Sequence, residues 1–234
     1  MINPVVVFLK APVRSGVKTR LAETLGDDLT LELYRCFVMD ILEKAEQAGC
    51  LSLCFHPAEN EMLVRAFLEQ WSRGKTLRWM AQNGGDLGEK MSGAFASEFE
   101  NGCDKAVLIG SDIPDLPLNF IAEAFEALEH SQAVIGPSTD GGYYLIGFKR
   151  SGFSPEFFRG MAWSTPSVCE KTLEIMGKNH INCHMLPFWR DVDTGEDYEA
   201  LVKRLSSGLT TAPHTWAFIQ NHEKNHLGHH PRSA

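Results

Sequence analysis

The sequence predicts a single α/β domain of three layers, α/β/α, around a mostly parallel sheet. Two observations predict this. Short β-branched or apolar runs alternate with amphipathic stretches of helical period from residue 4 to residue 205. A chain of 234 residues that is 44% hydrophobic can also bury a full core in one domain. The domain is placed at residues 1–209, and residues 210–234 read as a polar C-terminal tail, partly ordered at most.

Val5 to Leu9 is wholly apolar and reads as a strand buried on both faces. Thr30 to Ala48 is an amphipathic helix, with Leu33, Phe37, Ile41 and Ala45 on one side. Leu51 to Phe55 is the next strand, Glu59 to Trp71 a helix, and Leu77 to Met80 a short strand. Gly84-Gly85-Asp86-Leu87-Gly88 turns into a helix ending near Glu100, and Lys105 to Gly110 is the strongest central strand. Pro117 opens a helix to His130, since a first-turn proline gives up no helical hydrogen bond. Strands follow at Ala133 to Gly136 and Tyr144 to Phe148, a helix at Thr165 to Gly177, a strand at His184 to Leu186 and a helix at Glu196 to Leu205.

The chain is organised around the loop after the first strand. Lys10, Arg14, Lys18 and Arg20 supply four cations and no acid within eleven residues of a chain whose net charge is -8. Positive charge concentrated on an acidic protein implies an anionic ligand. The mouth of a buried parallel strand is where α/β proteins hold phosphate. Gly16-Val17-Lys18-Thr19 is not a P-loop, because Val17 separates the glycine from the lysine and Ala11 stands where a glycine is needed. No dinucleotide fingerprint is present in the loop, so side-chain charge and backbone N–H groups near Gly16 have to hold the phosphates.

The acidic balance argues against nucleic-acid polymers as partners but not against a single nucleotide. No apolar run approaches the ~20 residues of a membrane span, and no signal pattern precedes the first strand. Six scattered cysteines read as reduced thiols, which makes the cytoplasm the expected compartment. His222, His226, His229 and His230 read as an exposed terminus in preference to a metal site.

Three acidic motifs fall at strand ends. In Gly110-Ser-Asp112-Ile-Pro114-Asp115, Pro114 keeps Asp112 out of a helix, so its carboxylate sits at the same sheet edge as the basic loop. A carboxylate beside phosphates needs a divalent cation between them, and Mg²⁺ suits one or two carboxylates plus phosphate oxygens. Asp115 reads as a capping or turn residue. In Asp191-Val-Asp193-Thr194-Gly-Glu-Asp197, Thr194 and Asp197 form a helix cap, leaving Asp193 for a metal and Asp191 undecided. Asp140-Gly141-Gly142-Tyr143-Tyr144 reads equally as a ligand-contacting loop or a tight hairpin turn. Gln82 to Gly88 can match a nucleobase edge, or be a plain glycine turn.

With these motifs in hand, the chain resembles a known family. Its pattern Lys-x-Pro-x-x-Gly-x-Val-Lys-Thr-Arg-Leu is nearly reproduced from Lys10 to Leu21, with Ser15 where the family has glycine and Gly16 one place late. Gln82…Asp86-Leu-Gly88-Glu-Lys-Met91, Gly110-Ser-Asp112-Ile-Pro114, Asp140-Gly-Gly-Tyr-Tyr144, Trp163-Ser-Thr165 and Asp191-Val-Asp193-Thr194 match in the same order. The chain resembles the bacterial glycosyltransferase-like family of nucleotide-diphospho-sugar transferases, related to phospholactate guanylyltransferases and molybdenum-cofactor nucleotidyltransferases. The resemblance implies a nucleotide-diphospho-sugar transferase fold of the glycosyltransferase-A type. It also implies Lys10, Ala11, Gly16, Lys18 and Arg20 around the nucleotide, with Gln82 and Gly88 near the base. Asp112 and Asp193 would hold Mg²⁺ or Mn²⁺, with Lys18, Arg20 and Asp112 as the catalytic set. Asp140, Gly141, Gly142, Tyr143 and Trp163 would line the acceptor side.

Enzymes of this fold that transfer sugars usually show Asp-x-Asp after the central strand, whereas this chain has Asp112-Ile-Pro-Asp115. The basic loop also carries more charge than a diphosphate requires. The expected reaction is therefore metal-dependent nucleotidyl transfer from a nucleoside triphosphate to a small phosphorylated acceptor, with pyrophosphate released. Glycosyl transfer from a nucleotide-diphospho-sugar and non-catalytic nucleotide binding are the alternatives.

Overall fold

Residues 3–227 are described in the computed structural model of the protein. The apolar runs become β1 (Pro4–Lys10), β2 (Cys50–His56), β3 (Arg78–Ala81), β4 (Lys105–Gly110), β5 (Ala133–Pro137), β6 (Tyr143–Lys149) and β7 (Cys183–Met185). They form one sheet of order β3-β2-β1-β4-β6-β5-β7. Only β6 runs against its neighbours, pairing antiparallel with β4 and β5. The remaining pairs are parallel.

Helices cover both faces, which is what lets β1 and β4 be apolar on both sides. On one face Val5, Val7 and Leu9 pack with Val38 and Ile41 of α2 (Asp27–Ala48), Val64 and Leu68 of α3 (Glu61–Ser72), and Ile121 and Ala124 of α5 (Leu118–His130). On the other, Val6 and Leu108 meet Met91 and Phe95 of α4 (Leu87–Glu100), Met176 of α6 (Val168–Lys178) and Phe157 and Phe158. A third cluster joins Leu21 of α1 (Thr19–Leu25), Leu33 and Phe37 of α2, Leu201 and Leu205 of α7 (Gly195–Ser206), and Ile219 of α8 (Pro213–Leu227).

Within the stretch expected as a polar tail, Pro213–Leu227 is a helix docked on α2. Its first turn is capped by another helix. Asp40 of α2 accepts hydrogen bonds from the His214 and Thr215 N–H groups, each at 2.9 Å, and from Thr215 Oγ1 at 2.6 Å. One turn further along α2, buried Lys44 donates to the carbonyls of Pro114 and Thr211, each at 2.6 Å. Burial lowers its ammonium pKa to about 8, against the attraction of Asp40 and Asp115. His222 stacks against Phe218, with ring centroids 6.4 Å apart. His229, His230 and the side chain of His226 lie outside the described residues.

β1 and β4 are neighbours, yet the chain goes from β1 to β2 and β3 on one side and from β4 to β6, β5 and β7 on the other. A crevice opens at such a reversal, outside the carboxyl ends of the strands. Among the described residues no helix is long and apolar enough to cross a membrane, and all six cysteines are free.

Candidate active site

A cleft of about 890 Å³ occupies that crevice, a size typical of small-molecule sites. Lys10, Lys18 and Arg20 reach it from the β1–α1 segment, Gln82 from the end of β3, and Asp112 from the loop after β4. Asp140, Gly142 and Tyr143 come from the β5–β6 turn, Trp163 from the segment before α6, and Asp191 and Asp193 from the irregular segment between β7 and α7.

Its centre is an ionic cluster. Lys18 Nζ lies 2.5 Å from Asp193 Oδ1 and 3.1 Å from Asp112 Oδ2, and Arg20 Nη2 lies 2.6 Å from Asp193 Oδ2. Burial alone would raise the Asp193 carboxyl, but Lys18, Arg20 and Lys10 together hold it below the usual carboxylate range. Burial likewise opposes the Lys18 charge, and Asp112 and Asp193 outweigh it, so the ammonium stays protonated well above its ordinary range.

Local geometry explains why these groups meet. The Lys10 N–H at the end of β1 donates to Tyr34 Oη of α2 at 2.8 Å, and the same hydroxyl is 3.1 Å from Ser111 Oγ after β4. Tyr34 thus ties the two strand ends together, a role its position among apolar helix residues did not announce. Tyr34→Phe removes the acceptor for the Lys10 N–H and is expected to cost about 1–3 kcal/mol, read as a lowered urea midpoint. A Cβ on Gly110 would come within 2.5 Å of Asp112 Oδ1, so only glycine lets that carboxylate fold back over the strand end. The Val192 N–H donates to the Asp112 carbonyl at 2.9 Å, joining the two acidic segments. The Thr194–Asp197 capping box starts α7 as expected. A Cβ on Gly195 would meet Thr24 of α1 at 2.5 Å, so this glycine lets α7 close on α1 and bring Asp193 to Arg20.

Not every expected residue faces the cleft. Ala11 is buried, and its N–H is bonded to the His56 carbonyl at 2.7 Å. The Gly16 N–H closes a turn onto the Val13 carbonyl at 3.0 Å. The left-handed position in that turn is Ser15, with φ 57, a conformation that favours glycine, and its Oγ donates to Asp27 at 2.7 Å. Arg14 pairs with Asp28 in solvent. Gly88 is buried behind the wall, where a Cβ would meet the Phe158 carbonyl at 2.6 Å and the Trp163 ring at 2.7 Å. Gly141, at φ 89, lies under the Pro166 carbonyl, 2.0 Å from where its Cβ would be. The Asp140 turn joins β5 to β6, with Asp140 Oδ1 accepting from the Gly142 N–H at 2.9 Å, so the motif is a hairpin turn that also lines the cleft. Gln82 donates its side-chain N–H to the Cys54 carbonyl at 2.9 Å, which fixes its amide at the rim. Asp115 sits in the turn that the Leu116 N–H closes onto the Ile113 carbonyl at 2.9 Å, but its side chain caps no helix. It is fully buried and accepts two hydrogen bonds from Arg204, at 2.6 and 3.2 Å.

Asp191 was undecided in the sequence. It lines the cleft and accepts from Ser138 Oγ at 2.6 Å. Burial first, then Asp112, Asp140 and Asp193, push its carboxyl up to about 6, against the Ser138 bond. The folded protein therefore holds this proton between the ordinary carboxylate value and about pH 6, and ionising it above that range costs stability. Asp191→Asn is expected to stabilise at pH 7.5 by on the order of 2 kcal/mol and to change little at pH 3.5, measured by urea unfolding at both values.

The residues present fit a divalent cation. The Lys18 ammonium is itself a cation held between the two carboxylates, so Asp112 and Asp193 converge on one charge. Among the described residues no group of three or more His, Cys, Asp or Glu side chains could hold a metal. The protein would thus supply two oxygen ligands and leave the rest to phosphate and water, the donor set that suits Mg²⁺ or Mn²⁺.

Comparison with known proteins adds kinship. Residues 41–165, a little over half the chain, match the family model "Uncharacterized protein conserved in bacteria (DUF2064)". The chain belongs to this family. Comparison with curated proteins returned no match. A crystal structure from Desulfovibrio desulfuricans G20, provisionally assigned as a nucleotide-diphospho-sugar transferase, is 37% identical over 95% of both chains with a TM-score of 0.86. A nucleotidyl transferase from Methanothermobacter thermautotrophicus is 14% identical, covering 88% of this chain and 99% of its own, with a TM-score of 0.58. Rv0371c from Mycobacterium tuberculosis H37Rv, crystallised as a manganese complex, is 18% identical over 87% of this chain and 99% of its own, with a TM-score of 0.52. The last two show the shared fold. This DUF2064 protein thus has the nucleotide-diphospho-sugar transferase fold, and it is an enzyme of the transferase class.

Proposed function

We propose that the protein transfers a nucleotidyl group from a nucleoside triphosphate to a small phosphorylated acceptor, with Mg²⁺ or Mn²⁺ held by Asp112 and Asp193. The observation that carries this reading is the meeting of Lys10, Lys18 and Arg20 with those two carboxylates in one strand-edge cleft. An acceptor phosphate oxygen attacks the α-phosphorus, the α–β anhydride bond breaks, and pyrophosphate leaves with the bonding electrons. When bound, the divalent cation neutralises phosphate charge. Lys18 and Arg20 bind and orient the triphosphate and offset the charge that grows on the leaving pyrophosphate. Gln82 faces the base at the β3 end, and Asp140, Gly142, Tyr143 and Trp163 line the acceptor half. The six free thiols suit a reducing compartment, and we place the enzyme in the cytoplasm.

The second reading is glycosyl transfer from a nucleotide-diphospho-sugar, favoured by the assignment given to the Desulfovibrio relative. Pyrophosphate release across the nucleoside triphosphates, with Mg²⁺ and a panel of sugar and polyol phosphates, separates the two. Release that depends on one acceptor supports nucleotidyl transfer. Cleavage of a nucleotide sugar without any triphosphate turnover overturns it.

A further inference from the structure

Three of the four oxygens of the Asp112–Asp193 pair are already engaged by this chain's own cations. Lys18 Nζ takes Asp193 Oδ1 and Asp112 Oδ2, and Arg20 takes Asp193 Oδ2. The Lys18 side chain is 7% exposed, while those of Asp112 and Asp193 are 38% and 32% exposed and that of Arg20 is 66% exposed. Lys18 thus fills the inner side of the site and leaves the carboxylates reachable from the cleft.

Resting on the nucleotide-transfer reading, we infer that Lys18 is a displaceable counter-ion: it closes the Asp112–Asp193 pair to a lone divalent cation and opens it to one arriving with a polyphosphate. A lone divalent cation has to strip both carboxylate contacts from the ammonium. It would then leave that ammonium unpaired in a buried position beside two new positive charges, which is costly. A polyphosphate removes the obstacle. Its oxygens give the ammonium new partners within the cleft, and the flexible four-carbon stem with three donors lets Lys18 change partners without moving the backbone. Arg20, on the exposed side, can shift to the same phosphates. Linkage then requires that cation and polyphosphate each raise the other's affinity by the same factor. The protein selects a metal–polyphosphate complex over either part alone and is not poisoned by free divalent ions.

The test is Mn²⁺ binding without turnover, followed by electron paramagnetic resonance and calorimetry on the full chain. Wild type is expected to bind Mn²⁺ alone at least ten-fold more weakly than Lys18→Met, and the variant's gain is expected to vanish when Asp193→Asn is added. Lys18→Ala repeats the measurement with a smaller side chain. A further arm needs no Lys18 variant: wild type is expected to take preformed Mn²⁺–pyrophosphate at least ten-fold more tightly than Mn²⁺ or pyrophosphate alone. Equal or weaker Mn²⁺ binding by the Lys18 variants, with Asp193→Asn still abolishing it, overturns the counter-ion role and leaves the metal site standing. If both Lys18 variants fail to fold, independent binding of Mn²⁺ and pyrophosphate to wild type overturns it instead. Absence of Mn²⁺ binding in every arm overturns the metal assignment as well.

Discussion

Asp112→Asn is expected to lower turnover by about 10³-fold or more, the scale seen when a charge-stabilising group is removed from a preorganised site. The amide keeps the carboxylate's shape above Gly110 but weakens the hold on any divalent cation. The side chain is partly exposed, so the folded protein should survive the change. Asp193→Asn should lose as much activity and some stability too. Its carboxyl is held below the usual range by Lys18, Arg20 and Lys10, so it contributes stability above the ordinary carboxylate pKa, and this is lost as pH falls through the lower folded value. A steady-state assay beside urea unfolding at pH 7.5 separates the pair: Asp193→Asn lowers the unfolding midpoint more than Asp112→Asn does.

Arg204→Ala is expected to give the largest loss of stability, about 3–5 kcal/mol, because it strands a buried charge. Asp115 is fully buried, and among the described residues its donors other than Arg204 are weak or neutral, Trp189 Nε1 at 3.4 Å and Thr210 Oγ1 at 3.0 Å. The nearby Lys44 ammonium attracts it without a hydrogen bond. Arg204 also lies over the Trp189 ring at 5.8 Å. The double variant Asp115→Asn with Arg204→Met should recover much of the loss, since it removes both charges together. Asp115 follows Asp112 on one short loop, whose Pro114 carbonyl is held by Lys44. The single variant should therefore also weaken Mn²⁺ binding in whatever fraction remains folded. Chemical denaturation of the three proteins, with Mn²⁺ titration of the soluble ones, checks both expectations.

The sequence disclosed the parts governed by local rules. Lys105–Gly110 is apolar enough to be placed at its observed bounds. The Thr194–Asp197 cap is a short-range hydrogen-bond pattern readable from residue types alone. Asp112 could be placed at the edge of the basic loop because a parallel sheet sends the loops that follow its strands to one edge. Its pairing with Asp193 came from the family resemblance. What stayed hidden depends on contacts between distant segments. Asp115 is the turn residue it looks like, but nothing local shows that its carboxylate is buried against Arg204 from α7. Tyr34 looks like one more core position until its hydroxyl reaches Lys10 and Ser111. The helix from Pro213 takes its cap from Asp40 on another helix, so no N-cap residue of its own announces it, and the first-position proline stands before a run without strong helical period. The resemblance puts Gly88 near the base and Gly141 on the acceptor side, and the structure has Trp163 and Phe158 or Pro166 where a side chain on either would lie.

The most direct test of the central claim is the thermal stability of the wild type and the Asp112→Asn, Asp193→Asn and Arg20→Ala variants. Each is measured with every nucleoside triphosphate and nucleotide sugar in the presence and absence of Mn²⁺. A ligand that binds only the folded state raises the midpoint. The account predicts that at least one triphosphate stabilises the wild type strongly only when Mn²⁺ is present, and that each substitution removes most of that gain. A gain that is the same without metal, or that survives all three substitutions, would contradict it.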